Sequence, residues 1–418
     1  MSFKIMRPPR LAVSCAWAGL MAATMGPAWA EPAPPFAQLV EQIEQAPASR
    51  EAAALEDAAS ARVLQARARP NPIIGIETEN VLGSGLYSGF SNAETTLSVS
   101  QDLELWNRRG VRIGAARAEA DAAAVRRDLA VTDAVGRLAT VYAEAEAAQR
   151  RFQLAEEALE LTLADTNASL AQVEEGRQPR LRAVQAEAEA ASARATLDEA
   201  RADMDAAFVS LTVMAMLSSP VTAVADSLLD RTEVLTAPSN EQAPAIKAAE
   251  AERLAAERRI RVERSLGRPD VTANVGVRRS QMDDATSFTL GFSLPLPFFD
   301  QNRGNIQAAQ AELRATEARL EAARQDVRAQ QGAAVARLKA SASRVSAADA
   351  GVASAEEAYQ LSRIGFESGR ISQLELLTSR SALISARTAA VDARLARAGA
   401  EIDLARLEGR TPFEGDQK

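Results

Sequence analysis

Apolar residues recur along this chain in two rhythms. In short stretches every second position is apolar, and in long stretches apolar residues return at helical and heptad spacings. The alternating rhythm is clearest where Phe288, Leu290, Phe292, Leu294 and Leu296 interleave with Ser287, Thr289, Gly291 and Ser293. Just before it, Val271, Ala273, Val275 and Val277 interleave with Thr272, Asn274, Gly276 and Arg278. An earlier pair sets Ile74 and Ile76 against Glu77 and Glu79, and Leu97, Val99, Leu103 and Leu105 against Thr96, Ser98, Ser100, Asp102 and Glu104. A period of two with one apolar face predicts strands, at about 72–82, 94–105, 269–279 and 286–297.

The long stretches, 111–217 and 305–407, are almost free of Gly and Pro and rich in Ala, Glu, Arg, Leu and Gln, the strong helix formers. Leu313, Leu320, Val327 and Ala334 recur every seven residues, and so do Leu377, Ile384, Val391, Ala398 and Ala405. This is coiled-coil spacing with small residues in the seam. Each tract is broken once, at Glu175-Gly176-Arg177 and at Ser368-Gly369-Arg370. The pattern predicts two helical hairpins, about 110–217 and about 304–408, with arms of about 40–60 residues or roughly 60–90 Å. Shorter helices are expected at about Phe36–Ala68 and Glu241–Ser265, beside the hairpins.

The strand pairs and hairpins form a repeat. Arg69-Pro70-Asn71 is answered 199 positions later by Arg268-Pro269-Asp270, Arg109-Gly110 after 194 by Arg303-Gly304, and Gly176 after 193 by Gly369. Such a period is too long for a solenoid unit and reads as a duplication, 31–218 and 219–418. Residues 1–30 read as an export signal: Lys4, Arg7 and Arg10 precede an apolar run from Leu11 to Ala23, and Ala28-Trp29-Ala30 offers a cleavage site. Its removal takes away three positive charges, no negative ones and the lone Cys15, moving the net charge from −8 to −11. With no histidine and no remaining cysteine, disulfides, zinc-finger sites, Cys nucleophiles and His acid–base chemistry are excluded. No cofactor or resident metal is implied, and an acidic chain without a basic patch argues against nucleic acid.

No later stretch is long and apolar enough to span a bilayer as a helix, so any crossing must be made by strands. Tyr87, Phe90, Trp106, Phe288, Phe292, Phe298 and Phe299, half of the aromatics after residue 30, cluster at the strand pairs, as interfacial girdles do. Trp106, Phe288, Phe292, Phe298 and Phe299 are the interface candidates. Glu77, Glu79, Asp102 and Glu104 are candidates for a polar lumen. Four strands cannot close a barrel, whereas three copies sharing one would supply twelve.

Several segments resemble the TolC-like outer-membrane efflux proteins, and most the branch serving heavy-metal resistance–nodulation–division (RND) pumps. They are Arg69-Pro70-Asn71-Pro72, Ser100-Gln101-Asp102-Leu103-Glu104-Leu105 with Asn107-Arg108-Arg109-Gly110, and above all Leu294-Pro295-Leu296-Pro297-Phe298-Phe299-Asp300-Gln301-Asn302-Arg303-Gly304-Asn305-Ile306. The resemblance covers nearly the whole chain after the signal. It implies a mainly α chain with a small β part, and a homotrimer with a shared 12-stranded outer-membrane barrel on a periplasmic helical tunnel. It also implies two protein partners, a periplasmic adaptor and an inner-membrane RND pump, alongside outer-membrane lipid. The stretch Phe366-Glu367-Ser368-Gly369-Arg370-Ile371-Ser372-Gln373-Leu374-Glu375-Leu376-Leu377 resembles the family's periplasmic tip, with Glu375 where an entrance acid is common and Thr378 where a second one often stands. Arg182 is the first-half counterpart of Glu375. Glu375, Arg182, Arg370, Gly369 and Gly176 are therefore the tip-gate candidates. Drug efflux or type I protein secretion are rival cargoes. A periplasmic coiled-coil adaptor or scaffold with a soluble sheet is a rival of another class, and a hydrolase using Asp283-Asp284 is a third.

Overall fold

The computed structural model describes residues 31–231 and 243–413. The expected signal at 1–30, with Cys15, and the expected helix start at Glu241 lie outside the described residues. The chain runs β1 (Glu31–Ala33), α1 (Phe36–Glu41), α2 (Pro47–Arg67), β2 (Ile73–Glu79), β3 (Glu94–Asp102), α3 (Arg108–Glu174), α4 (Arg180–Met214), β4 (Val221–Val224), α5 (Pro244–Leu266), β5 (Thr272–Ser280), β6 (Ala285–Ser293), α6 (Arg303–Glu367) and α7 (Gln373–Glu408).

Strands β2, β3, β5 and β6 form one antiparallel sheet in that order. Its register aligns the alternation seen in the sequence. Ile76, Leu97, Val277 and Phe288 form a row across all four strands, and Ile74, Val99, Val275 and Leu290 form the next on the same face. The other face carries Glu77, Thr96, Arg278 and Ser287 in one row and Glu79, Glu94, Ser280 and Ala285 in another. The strands stop short of the expected limits at Leu82, Leu105 and 297. Backbone in the left-handed region at Asn80, Leu82, Glu104, Trp106 and Asn107 turns the chain away, and Pro295 and Pro297 cannot donate to a ladder.

The hairpin arms are unequal, not about 40–60 residues each. Helices α3 and α6 have 67 and 65 residues, whereas α4 and α7 have 35 and 36. At full length α3 is about 100 Å long. The reason is a change of partner halfway along. Near the sheet the helices lie in the order α2, α3, α5, α6, and beyond it in the order α4, α3, α7, α6. The short helices thus take the place of the return arms. Because α7 touches both α6 and α3, it has two seams. The heptad residues Val391, Ala398 and Ala405 are buried, as are Leu376, Leu383 and Ala390, which lie one position before members of that heptad.

The largest core lies at the change of partners. Phe36, Leu39 and Ile43 pack with Leu138, Tyr142, Leu211, Leu228 and Phe413. Phe36 meets the Tyr142 ring edge-on, with centroids 5.9 Å apart. Beside them β1 and β4 pair in parallel, a small sheet the sequence reading did not anticipate. Buried Glu146 fastens the loop after β4. It accepts from the Leu228 and Leu229 amides at 2.8 and 3.1 Å, from Ser227 Oγ at 2.7 Å and from Arg150 at 2.6 Å. Expected as one helix over 36–68, the N-terminal segment is interrupted after Glu41 and restarts at Pro47, which suits a first helical turn.

The helices are also stitched by arginines seven residues apart on α7. Arg380 reaches Asp165 at 2.5 Å and Glu189 at 3.2 Å, Arg387 reaches Glu157 at 2.6 Å and Glu356 at 2.8 Å, and Arg394 reaches Asp349 at 2.8 Å. Burial pushes the Asp165 carboxyl up, against the pull of Arg380. Asp230 shows the opposite balance. Hydrogen bonding from Arg150 holds its carboxyl below the usual range, outweighing burial. A depressed folded pKa means stabilisation that is complete at neutral pH and is lost as pH falls through the folded value. On acidification, the melting temperature of the wild type should therefore fall below about pH 4. Asp230→Asn should start lower at neutral pH and lose less over that range. Parallel melting curves for the two proteins would refute this role.

Candidate functional site

Three parts of the fold carry the sequence-predicted site residues: the polar sheet face, the neck where strands meet helices, and the helical tips. On the polar face Glu77 and Glu79 lie with Glu94 and Asp102. Asp102 accepts from Thr272 Oγ1 at 2.6 Å. Glu79 and Glu94 are not free, because both bind Arg278, at 3.3 and 3.1 Å. Sequence alternation placed Arg278 on this face, but nothing in its spacing announced that it would bridge three strands.

Glu104 does not join the other carboxylates. Strand β3 ends at Asp102, the Leu103 amide donates to Val271 O at 2.9 Å, and Glu104 sits at φ 42°. Its side chain is ion-paired with Arg112, which also donates to Ala66 O and Ala68 O. Glu104 is thus part of the neck, tying the end of α2 to the start of α3. Arg108 makes a matching tie, to Asp270 at 2.6 Å and to Ser265 O at 3.3 Å. Both long helices start after an asparagine in the left-handed region, Asn107 at φ 58° and Asn302 at φ 57°.

The interface aromatics divide between two places. Phe288 and Phe292 stand on the apolar sheet face, and Phe288 is 84% exposed in the single chain. Trp106, Phe298 and Phe299 lie beyond the strand ends, exposed at the neck, where the Trp106 indole donates to Pro269 O at 3.1 Å. Ile76 is 74% exposed, and none of the described residues covers the apolar face. Among the described residues no helix is long and apolar enough to cross a membrane.

At the tips, Gly176 and Gly369 take φ +71° and +72°, a conformation that favours glycine. The hydrogen bonds around them match. Arg177 N donates to Gln172 O and Gly176 N to Val173 O, while Arg370 N donates to Gly365 O and Gly369 N to Phe366 O. Both are Schellman closures. The restarts differ. Ser372 and Glu375 form a capping box at α7, with Glu375 Oε2 accepting from Ser372 N at 2.8 Å, whereas α4 starts after Pro179 without a side-chain cap. Within the chain Arg182 lies against Gln185 at 3.5 Å and Glu375 against Ser372, so the two are not joined. Asp284 of the Asp283-Asp284 hairpin pairs with Arg279 at 2.5 Å.

An exposed apolar sheet face, a charged face behind it and helices reaching far beyond any globular core set this chain apart from a compact globular subunit. The chain belongs to the outer membrane efflux protein family, whose profile matches residues 39–215 and 238–410. It is 35% identical over 298 residues to the nickel-cobalt-cadmium resistance protein NccC of Alcaligenes xylosoxydans xylosoxydans, covering 71% of this chain and 68% of that protein. It is 38% identical over 280 residues to the nickel and cobalt resistance protein CnrC of Cupriavidus metallidurans, covering 66% and 67%. In fold it is similar to CusC, with a TM-score of 0.77 at 20% identity over 90% of this chain and 92% of that one. It is similar also to VceC of Vibrio cholerae, with a TM-score of 0.72 at 19% identity over 90% and 96%. The resemblance read from the sequence segments therefore holds.

Ser372→Ala removes one half of the capping box and should cost about 1 kcal/mol of helix stability. Amide exchange at Glu375 is expected to quicken while that at Arg182 does not change. Equal exchange in wild type and variant would show that the cap carries no weight.

Proposed function

We propose that three copies of this chain close a 12-stranded barrel in the outer membrane and a helical tunnel in the periplasm. Residues 31–218 and 219–418 then act as two copies of one structural repeat. The observation that carries this reading is the order of elements at the edges. The sheet ends in β2 and β6, the upper helices in α2 and α6, and the lower helices in α4 and α6. In all three layers α6 or β6 stands at one edge and a first-half element at the other. Head-to-tail contact between copies would pair every free edge at once, and such contacts make rings when the rotation closes. Exposed Leu55 and Leu64 on α2, and Leu181, Val184, Val209 and Val213 on α4, supply apolar surface for one side, and Leu361 and Ile364 on α6 for the other.

The duct is passive, and its cargo is a heavy-metal cation. Support comes from the metal-resistance names of the relatives and from a polar face with more carboxylates than cations. Energy enters through an inner-membrane RND pump, joined by a periplasmic adaptor at the tips. There Arg182 and Glu375 of neighbouring tips meet at one level and, with Arg370 and the hinges at Gly176 and Gly369, form the entrance gate.

Outer-membrane fractionation, detergent extraction and native mass determination test the assembly. A detergent-dependent trimer is expected, and a soluble monomer would sink the reading in favour of a periplasmic scaffold. For the gate, Arg182→Glu and Glu375→Arg should each raise the conductance of the purified channel. Unchanged conductance in both would remove the pair from the mechanism.

A further inference from the structure

The register of β2 with β3 sets Glu79 directly opposite Glu94 on the polar face. Like charges facing each other across a strand pair repel, so this pair needs a cation. Arg278 supplies it from the third strand. Its Nη1 donates to Glu94 Oε2 at 3.1 Å, its Nη2 lies 3.3 Å from Glu79 Oε2, and its Nε donates to Thr96 Oγ1 at 3.1 Å. All three nitrogens of the guanidinium are thus engaged. Across the four strands the polar face holds four carboxylates, Glu77, Glu79, Glu94 and Asp102, and Arg278 is its single basic residue. Its neighbour Arg279 stands on the opposite face and is bound to Asp284.

We propose that Arg278 is the resident counter-cation of the Glu79–Glu94 pair, and that it determines whether this face passes divalent cations or holds them. The inference rests on the duct reading, in which the polar face lines the exit. Paired carboxylates are oxygen ligands of the kind divalent cations take. A conducting path must attract its ion yet release it, so a pair that trapped the cargo would stop the flow. A guanidinium stays protonated at every physiological pH and binds carboxylates in a fixed fork. Arg278 therefore occupies the pair permanently, and the unbridged Glu77 and Asp102 retain the attraction for cations.

The test is potassium current through the purified channel in planar bilayers, titrated with Co2+ and with Mg2+. Arg278→Gln should be blocked at about tenfold lower divalent concentration than wild type, the change expected on freeing charge-assisted contacts. Arg278→Lys should restore weak block, and adding Glu94→Gln to Arg278→Gln should abolish the gain. Residues 31–418 contain no cysteine, so Arg278→Cys can carry a cationic thiol reagent. If Arg278→Gln fails to insert, the labelled Arg278→Cys channel should insert, and reduction of the label in place should uncover the block. Equal block before and after reduction, or in Arg278→Gln and wild type, overturns this inference alone. Absence of any wild-type channel overturns the duct reading and this inference with it.

Discussion

Within a hydrocarbon layer there is no water to satisfy a backbone amide or carbonyl, so each must find its partner in protein. That constraint governs the architecture. The sheet leaves exposed an apolar face of Ile74, Ile76, Leu97, Val99, Val275, Val277, Phe288 and Leu290, and among the described residues its outer strands β2 and β6 each pair on one side only. The helices below share that order of edges, with α6 or β6 at one side and an element from the first half of the chain at the other.

The long helices transmit that order over the length of the molecule. Helices α3 and α6 run through both levels while their neighbours are exchanged, α2 and α5 above, α4 and α7 below. Such an exchange demands a firm joint, and the largest core sits there, with Tyr142 and Leu138 fully buried and Glu146 fastening the loop after β4. Lower down, small seam residues let the helices approach closely. The arginines of α7 then add charged ties across three helices, several of them half-buried.

Much of this was legible in the residues. Strand faces, the glycine hinges and the paired helix starts near Arg109-Gly110 and Arg303-Gly304 follow from alternation and local backbone preference, and the structure differs from them by a few residues. The unequal arms were not legible, because a helix reads the same whether its neighbour is α2 or α4. Alternation points Glu104 to the polar face, but β3 ends at Asp102 and the backbone has turned before Glu104 is reached. Glu375 fell where an entrance acid was expected, but its carboxylate is first of all a helix cap.

What the sequence determined by itself is the local geometry: which face of each strand is apolar, where the helices run and where they fold back. These depend on residues within a few positions of one another. Only the tertiary structure decided that Arg278 bridges Glu79 and Glu94, that Arg380 joins Asp165 to Glu189, and that α3 exchanges α2 and α5 for α4 and α7. Those contacts join residues far apart in the chain. They exist only once strand register and helix order are set, and periodicity in the sequence carries no record of either.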